Sequence, residues 1–291
     1  MPPEFSEANL VCGILGMMLH KEYGAAGERK AVALVERLKL AYADLAKDPA
    51  FKAIPSALAP ALAGNAAPPC HYYLYVPEDY KAGQEAPLLL FLHGGGGNFL
   101  GGFYLSVKDL KNRQTILVCP SFRNGEWWTE EGAAFALQVL EDVCKRYSVN
   151  KKAIAIAGVS NGATGAWQIA QRNKEKFAAV ISISGAFEGG KALVASPGPP
   201  VLIAHGALDT VIPVALSRNA FAALKERKGT LYKEFPDAGH LVSMEKPELG
   251  LSACLDWFQK LDGIPAPAGG DPARKGPAPQ APPPLRSPDK P

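Results

Sequence analysis

An α/β fold, with a mostly parallel central sheet flanked by helices, is what this sequence predicts, and three observations predict it. Short apolar segments recur after residue 70: "HYYLYVP" (71–77), "PLLLFLH" (87–93), "TILVCP" (115–120), "AIAIAG" (153–158), "AAVISIS" (178–184), "PVLIAH" (200–205) and "LYKEF" (231–235). Most of those beyond residue 87 are apolar almost throughout, as strands covered on both faces are. Between them lie segments of helical period, "EEGAAFALQVLEDVCKRY" (130–147), "GATGAWQIAQRN" (162–173), "PVALSRNAFAALKERK" (213–228) and "GLSACLDWFQKL" (250–261). Strands alternating with helices give an open α/β sheet. Third, several strand ends run directly into glycine, which marks sharp turns.

Residues 1–66 are alanine-rich and predict an N-terminal helical extension, with Leu34, Leu38, Tyr42 and Leu45 on one apolar face. That face is expected to pack on the main domain, dimerisation being the alternative. "DPAFKAIPSALAPALAGNAAPP" breaks the helical pattern with prolines and ends in a linker. Residues 67–262 form the α/β domain. Residues 263–291 are proline, glycine, alanine and charge, which cannot supply a core and predict a disordered tail. No internal repeat is found.

The 291 residues are 47% hydrophobic and 20% charged, enough for a large core. A net charge of +3, with no basic stripe interleaved with aromatics, argues against a nucleic-acid partner. The five cysteines are odd in number and widely spaced, with no CxxC, which argues against a disulfide framework or a zinc site; Cys119 reads as a buried small hydrophobe. The ten apolar residues "LVCGILGMML" (10–19) are too few to span a bilayer. Glu4 and Glu7 stand where a secretory signal needs positive charge, so the segment reads as a buried helix. A cytoplasmic protein is expected, or a secreted one if a signal has been removed.

The chemistry sits in "IAIAGVSNGATG" (154–165). Gly158 and Gly162 stand two residues either side of Ser160, where a strand must turn sharply into a helix. They remove side chains that would collide, and the serine oxygen is held out at the carboxyl end of the sheet. "FLHGGGGN" (91–98) ends another strand in four glycines, whose N–H groups can face a ligand. The GK[ST] ending of a phosphate loop is absent. "VLIAHGALDTVIP" (201–213) and "DAGHLVS" (237–243) then supply Asp209 and His240, in the chain order serine, acid, histidine.

On "LHGGGGN", "GVSNGATGAW", "HGALDTVIP" and "DAGH", residues 70–262 resemble the α/β-hydrolase serine esterases, in particular the phospholipase/carboxylesterase ("predicted peptidase") group, with polyhydroxybutyrate depolymerase-like and feruloyl esterases as relatives. The resemblance implies an α/β-hydrolase fold and hydrolysis of carboxylic esters through an acyl-enzyme, with no metal or organic cofactor. It casts Ser160 as nucleophile, His240 as general base and Asp209 as the acid that orients it. The backbone N–H groups of Asn161 and Gly95, with Gly96 as helper, would form the oxyanion hole.

Each role has competitors. Asp237 is three residues from His240 and reads as part of its loop. His93 and His205 precede glycine at strand ends and read as loop braces; His71 and His20 lie outside every motif. In "NGEWWTEEG" (124–132), Trp127 or Trp128 is expected to touch the substrate or to be buried beneath the next helix, while Trp167 reads as core. Only residues 185–199 are available for an insertion before the strand preceding Asp209, too few for a large cap domain, so an open cleft for small or soluble acyl and aryl esters is expected. A serine peptidase or amidase, a polyester depolymerase and a non-catalytic binding module are the alternatives. The substrate would be a small-molecule or polymeric ester. The oligomeric state is left open.

Overall fold

The computed structural model describes residues 17, 19–34, 51–55, 71–77, 80–95, 113–123, 125–187 and 197–264. Eight strands among them form one sheet: β1 (Phe51–Pro55), β2 (His71–Tyr75), β3 (Ala86–Leu92), β4 (Ile116–Ser121), β5 (Val149–Val159), β6 (Ala179–Ile183), β7 (Val201–Gly206) and β8 (Leu231–Phe235). Their spatial order is β1-β2-β4-β3-β5-β6-β7-β8. β2 pairs antiparallel with both β1 and β4, and the other pairings are parallel. The chain thus has the α/β-hydrolase fold.

Side-chain alternation explains why these strands are apolar throughout. On β3, Leu88, Leu90 and Leu92 join one core with Ile154, Ile156, Val180 and Ile203. Leu89 and Phe91 join the other, with Ala155, Ala157, Ile181 and Leu202. Both faces are covered, so both sets of alternate positions must be hydrophobic. The helices α3 (Glu130–Arg146), α4 (Asn161–Arg172) and α5 (Val214–Leu224) pack Phe135, Val139, Trp167, Ile169 and Leu224 on the first face. Val242 of α6 (Val242–Glu245) and Leu255 and Phe258 of α7 (Leu251–Gln259) cover the second. Cys119 is buried in that second core, as its apolar context implied.

Helix α3 begins where local chemistry demands. The Thr129 hydroxyl accepts the Gly132 N–H at 3.1 Å, Glu130 and Glu131 occupy the positive end of the helix dipole, and Lys145 and Arg146 the negative end.

Two sequence expectations change. Residues 51–55 fall within the expected helical extension, yet Phe51–Pro55 is an edge strand paired with β2. An edge position tolerates Pro55, which a central strand would not. β5 starts at Val149 rather than Ala153, because its first turn of sheet carries exposed Lys151 and Lys152 and so lacks an apolar signature. The N-terminal helical segment is split at Gly24 into α1 (residues 19–23) and α2 (residues 25–34). Leu19, Ala31 and Leu34 from these helices pack against Met244 and Leu241, beside the His240 loop. Leu38, Tyr42, Leu45, Gly96, most of residues 10–18 and the tail beyond Ile264 lie outside the described residues. No helix among the described residues is long and apolar enough to cross a membrane.

Candidate active site

β5 ends at Val159 and α4 begins at Asn161, so Ser160 must reverse the chain within one residue. Its φ of 53° lies in the left-handed region, where a side-chain-bearing residue costs about 1–3 kcal/mol. Close packing enforces the turn. A Cβ on Gly158 would sit 2.2 Å from the Gly162 carbonyl carbon, and one on Gly162 would sit 2.0 Å from the Leu92 oxygen. Neither position admits alanine without moving backbone. The Ser160 N–H donates to the Ile183 carbonyl at 2.9 Å, which fixes the turn to β6.

Two other loops converge on the serine. Asp209 follows β7 and His240 follows β8; both side chains are buried. Ser160 Oγ lies 2.9 Å from His240 Nε2, and His240 Nδ1 lies 2.7 Å from Asp209 Oδ2. The carboxylate beside Nδ1 places the imidazole proton there, leaving Nε2 to accept from the serine hydroxyl.

Asp209 is unusually well provided with donors. Its Oδ1 accepts the N–H groups of Val211 and Ile212, each at 2.8 Å. Its Oδ2 accepts from His240 and also lies 3.0 Å from Nε2 of His205, which is wholly buried. His205 Nε2 also faces the Ile212 carbonyl at 3.0 Å, so it carries the ring proton. Nδ1 of His205 then accepts the Ser217 hydroxyl at 2.7 Å. Burial pushes the Asp209 carboxyl upward, but the bonds from His205, His240 and the backbone outweigh it and hold the group well below the ordinary carboxylate range. It is a buried, committed anion.

The glycine run leaves β3 beside the serine. Gly94 lies directly against Ser160 and Val159, and Gly95 is exposed. Asn161 opens α4 immediately after Ser160, at the helix end that favours negative charge. Phe122 N–H donates to His93 Nε2 at 3.1 Å, so Nδ1 of His93 holds the proton and donates to the Gly94 carbonyl at 2.8 Å.

Trp127, one of the two expected substrate contacts, goes into the core instead. It is fully buried, packs against His93 and Phe122, and donates its indole N–H to the His93 carbonyl at 2.9 Å. A buried indole needs such an acceptor, and this one lies at the root of the glycine loop. Trp128 stays about one-third exposed. Asp237 points to solvent and pairs with Lys246 at 2.6 Å. His20 is exposed beside Glu28, and His71 lies on β2. Among the described residues, no group of three His, Cys, Asp or Glu side chains could hold a metal ion.

Two contacts escaped sequence reasoning. The His205 bond to Asp209 could have been suspected from the i, i+4 spacing across a tight loop. Glu22, which reaches the His240 backbone, carries no local signal.

Comparison with known proteins adds a family match and a set of similar folds. Residues 133–248, which contain Ser160, Asp209 and His240, match the model of the Phospholipase/Carboxylesterase family. The protein named "Probable feruloyl esterase C" of Aspergillus flavus is 30% identical over 173 residues, covering 52% of this chain and 60% of that one. The chain therefore spans less than two-thirds of that relative's length. A structure described as a thermostable esterase superposes with a TM-score of 0.58 at 22% identity, over 72% of this chain and 62% of that one. FphF, a fluorophosphonate-binding serine hydrolase of Staphylococcus aureus, does so with 0.56 at 14% identity, over 72% and 96%. At these identities the structural likeness establishes the fold.

Proposed function

We propose that this α/β-hydrolase chain is a serine carboxylesterase, with Ser160 as nucleophile, His240 as general base and Asp209 as the orienting acid. The observation that carries the proposal is the hydrogen-bonded line Ser160–His240–Asp209, at 2.9 and 2.7 Å, with the serine on a strained turn. In the first step Ser160 Oγ attacks the ester carbonyl carbon while His240 Nε2 takes its proton. Asp209 stabilises the resulting imidazolium without taking the proton itself. The tetrahedral oxyanion is received by the N–H groups of Asn161 and Gly95. Collapse expels the alcohol, which leaves with the proton from Nε2. A water molecule then repeats the sequence on the acyl-enzyme and restores the serine.

Small or soluble acyl and aryl esters are the substrates we assign. Leu208 and Val211, on the loop that carries Asp209, and Trp128, next in sequence to Trp127, are exposed apolar side chains. Apolar side chains on these loops suit an uncharged acyl or aryl group. The feruloyl esterase name of the relative points the same way. Residues 184–200 between β6 and β7 are too short a segment for a large cap. The N-terminal helices are read as an extension packed beside the His240 loop.

The test is hydrolysis of a p-nitrophenyl ester series, acetate to palmitate, by the wild type and Ser160→Ala. A Ser160-dependent rate that falls with acyl length supports the assignment. Inactivity on every ester, combined with turnover of peptide amides, would replace it with a peptidase. Absence of Ser160 labelling by a fluorophosphonate probe in folded protein would favour a binding module.

A further inference from the structure

A third carboxylate meets the loops that carry Asp209 and His240. Helix α1 presents Glu22, whose Oε1 accepts the His240 backbone N–H at 2.8 Å and the Thr210 N–H at 3.5 Å. These peptides immediately adjoin the two side chains that must stay aligned. The neighbouring Lys21 Nζ donates to the Thr210 carbonyl at 3.3 Å, so α1 holds both sides of that residue.

The other oxygen, Oε2, is buried with no hydrogen-bond partner among the described residues. It lies against Gly239, where an added Cβ would come within 2.1 Å of it. The glycine before His240 therefore leaves room for Glu22. Burial raises the Glu22 pKa, opposed by the two backbone donors; the Asp209 charge raises it further and that of His240 lowers it. The helices are attached a second time through Glu245, which accepts from Tyr23 Oη at 2.7 Å and from Lys30 Nζ at 2.8 Å, and whose other oxygen accepts the Gly239 N–H at 3.4 Å.

We propose that Glu22 is a positioning residue for the hydrolysis assigned above, on which this inference rests: one carboxylate oxygen of the N-terminal helix ties the Asp209 loop to the His240 loop. The two loops leave adjacent strands, and the Leu208 N–H to Ala238 carbonyl bond at 2.9 Å joins them near their bases. Glu22 joins them again at the reacting side chains. The N-terminal helices are thus part of the site rather than an appendage to it.

The experiment uses the full chain and p-nitrophenyl acetate, with fluorophosphonate labelling of the wild type as a control. Glu22→Ala is expected to lower kcat about ten- to a hundredfold with KM changed less than about threefold, the scale of a misplaced catalytic group. Glu22→Gln keeps an oxygen that accepts both N–H groups and is expected to restore most of kcat. Lys30→Met removes a helix contact to Glu245 without touching Gly239 or His240, and should lower Tm while keeping kcat within about twofold. If Glu22→Ala does not fold, Gly239→Ala supplies the test. Its methyl displaces Glu22, so Gly239→Ala should lower kcat, and pairing it with Glu22→Asp, whose shortened carboxylate also leaves the His240 N–H, should bring no further loss. Wild-type kcat in Glu22→Ala, an equal kcat loss in Lys30→Met, or multiplying losses in the pair would overturn the proposal. A wild type that neither turns over nor is labelled would instead bring down the esterase assignment, and this inference with it.

Discussion

Replacing His205 by leucine tests whether Asp209 is held from the core side as the structure indicates. The substitution keeps approximate volume at a wholly buried site and removes both ring nitrogens. Asp209 Oδ2 loses the donor at 3.0 Å, and hydrogen bonds to charged groups are each worth about 1.5–3 kcal/mol. The Ser217 hydroxyl, which donates to Nδ1 at 2.7 Å, is left buried without an acceptor, at about 1–3 kcal/mol. Leucine returns part of this through apolar burial, so a net loss of about 2–4 kcal/mol is expected, a large share of a typical domain's stability. With an m-value near 3 kcal/mol/M, the urea midpoint should fall by about 0.7–1.3 M. The loss also depends on pH in a defined direction. Because the native Asp209 pKa is depressed, its contribution is fully present above the ordinary carboxylate value, near pH 4, and disappears as pH falls toward the depressed native value. The gap between wild type and His205→Leu should therefore be constant near neutrality and narrow below about pH 4, down to the part that comes from Ser217. A midpoint shift under about 0.3 M at pH 7, or a gap that widens on acidification, would refute the reasoning.

Other outcomes follow from the same contacts. Asp209→Asn should keep the fold and lower kcat by about 10⁴, because the amide presents the wrong partner to His240 Nδ1; circular dichroism with ester kinetics checks both halves. Trp127→Phe removes the indole donor to the His93 carbonyl and leaves part of its buried volume empty, so stability should fall by about 2–4 kcal/mol. Unchanged thermal unfolding in that variant would show that the glycine loop does not depend on the indole. Gly162→Ala forces a methyl into the Leu92 carbonyl and should leave little folded protein on expression, whereas an alanine at exposed Gly95 should be tolerated in stability.

The positions of Ser160 and Asp209 were legible because each follows a buried strand, and a strand's apolar run announces where its carboxyl end must be; His240 follows the half-exposed β8 and was legible from its "DAGH" context and its place in the chain order. β1 was not legible. "FKAIP" mixes lysine and proline into a five-residue edge strand, and only its pairing with β2 makes it part of the sheet. The fate of Trp127 was undecided for a related reason. Whether an aromatic in a loop meets substrate or core depends on what faces it, and here that is the His93 carbonyl and Gly165, distant in sequence. Glu22 was illegible altogether. Its partners stand 188 and 218 residues away, and the donors are backbone N–H groups, which every non-proline residue carries.

These cases locate where the site's accuracy resides. Ser160 is fixed by the sheet itself, through its strained turn and its bond to β6. Asp209 and His240 are not. They sit on loops beyond the last paired residues of β7 and β8, where the Leu208–Ala238 backbone bond and a set of side-chain ties bring them to 2.7 Å from each other and His240 to 2.9 Å from the serine. His205 holds Asp209 from the core, and Glu22 holds both loops from the N-terminal helix. His205 is deeply buried, so breaking its tie should lower stability and turnover together. Glu22 is only half-buried, and the helices keep their attachment through Glu245 when its contact is broken. Turnover should therefore fall more steeply than stability along a series of Glu22 variants and in parallel with it along a series of His205 variants. That divergence separates a residue that supports the fold from one that aligns the chemistry.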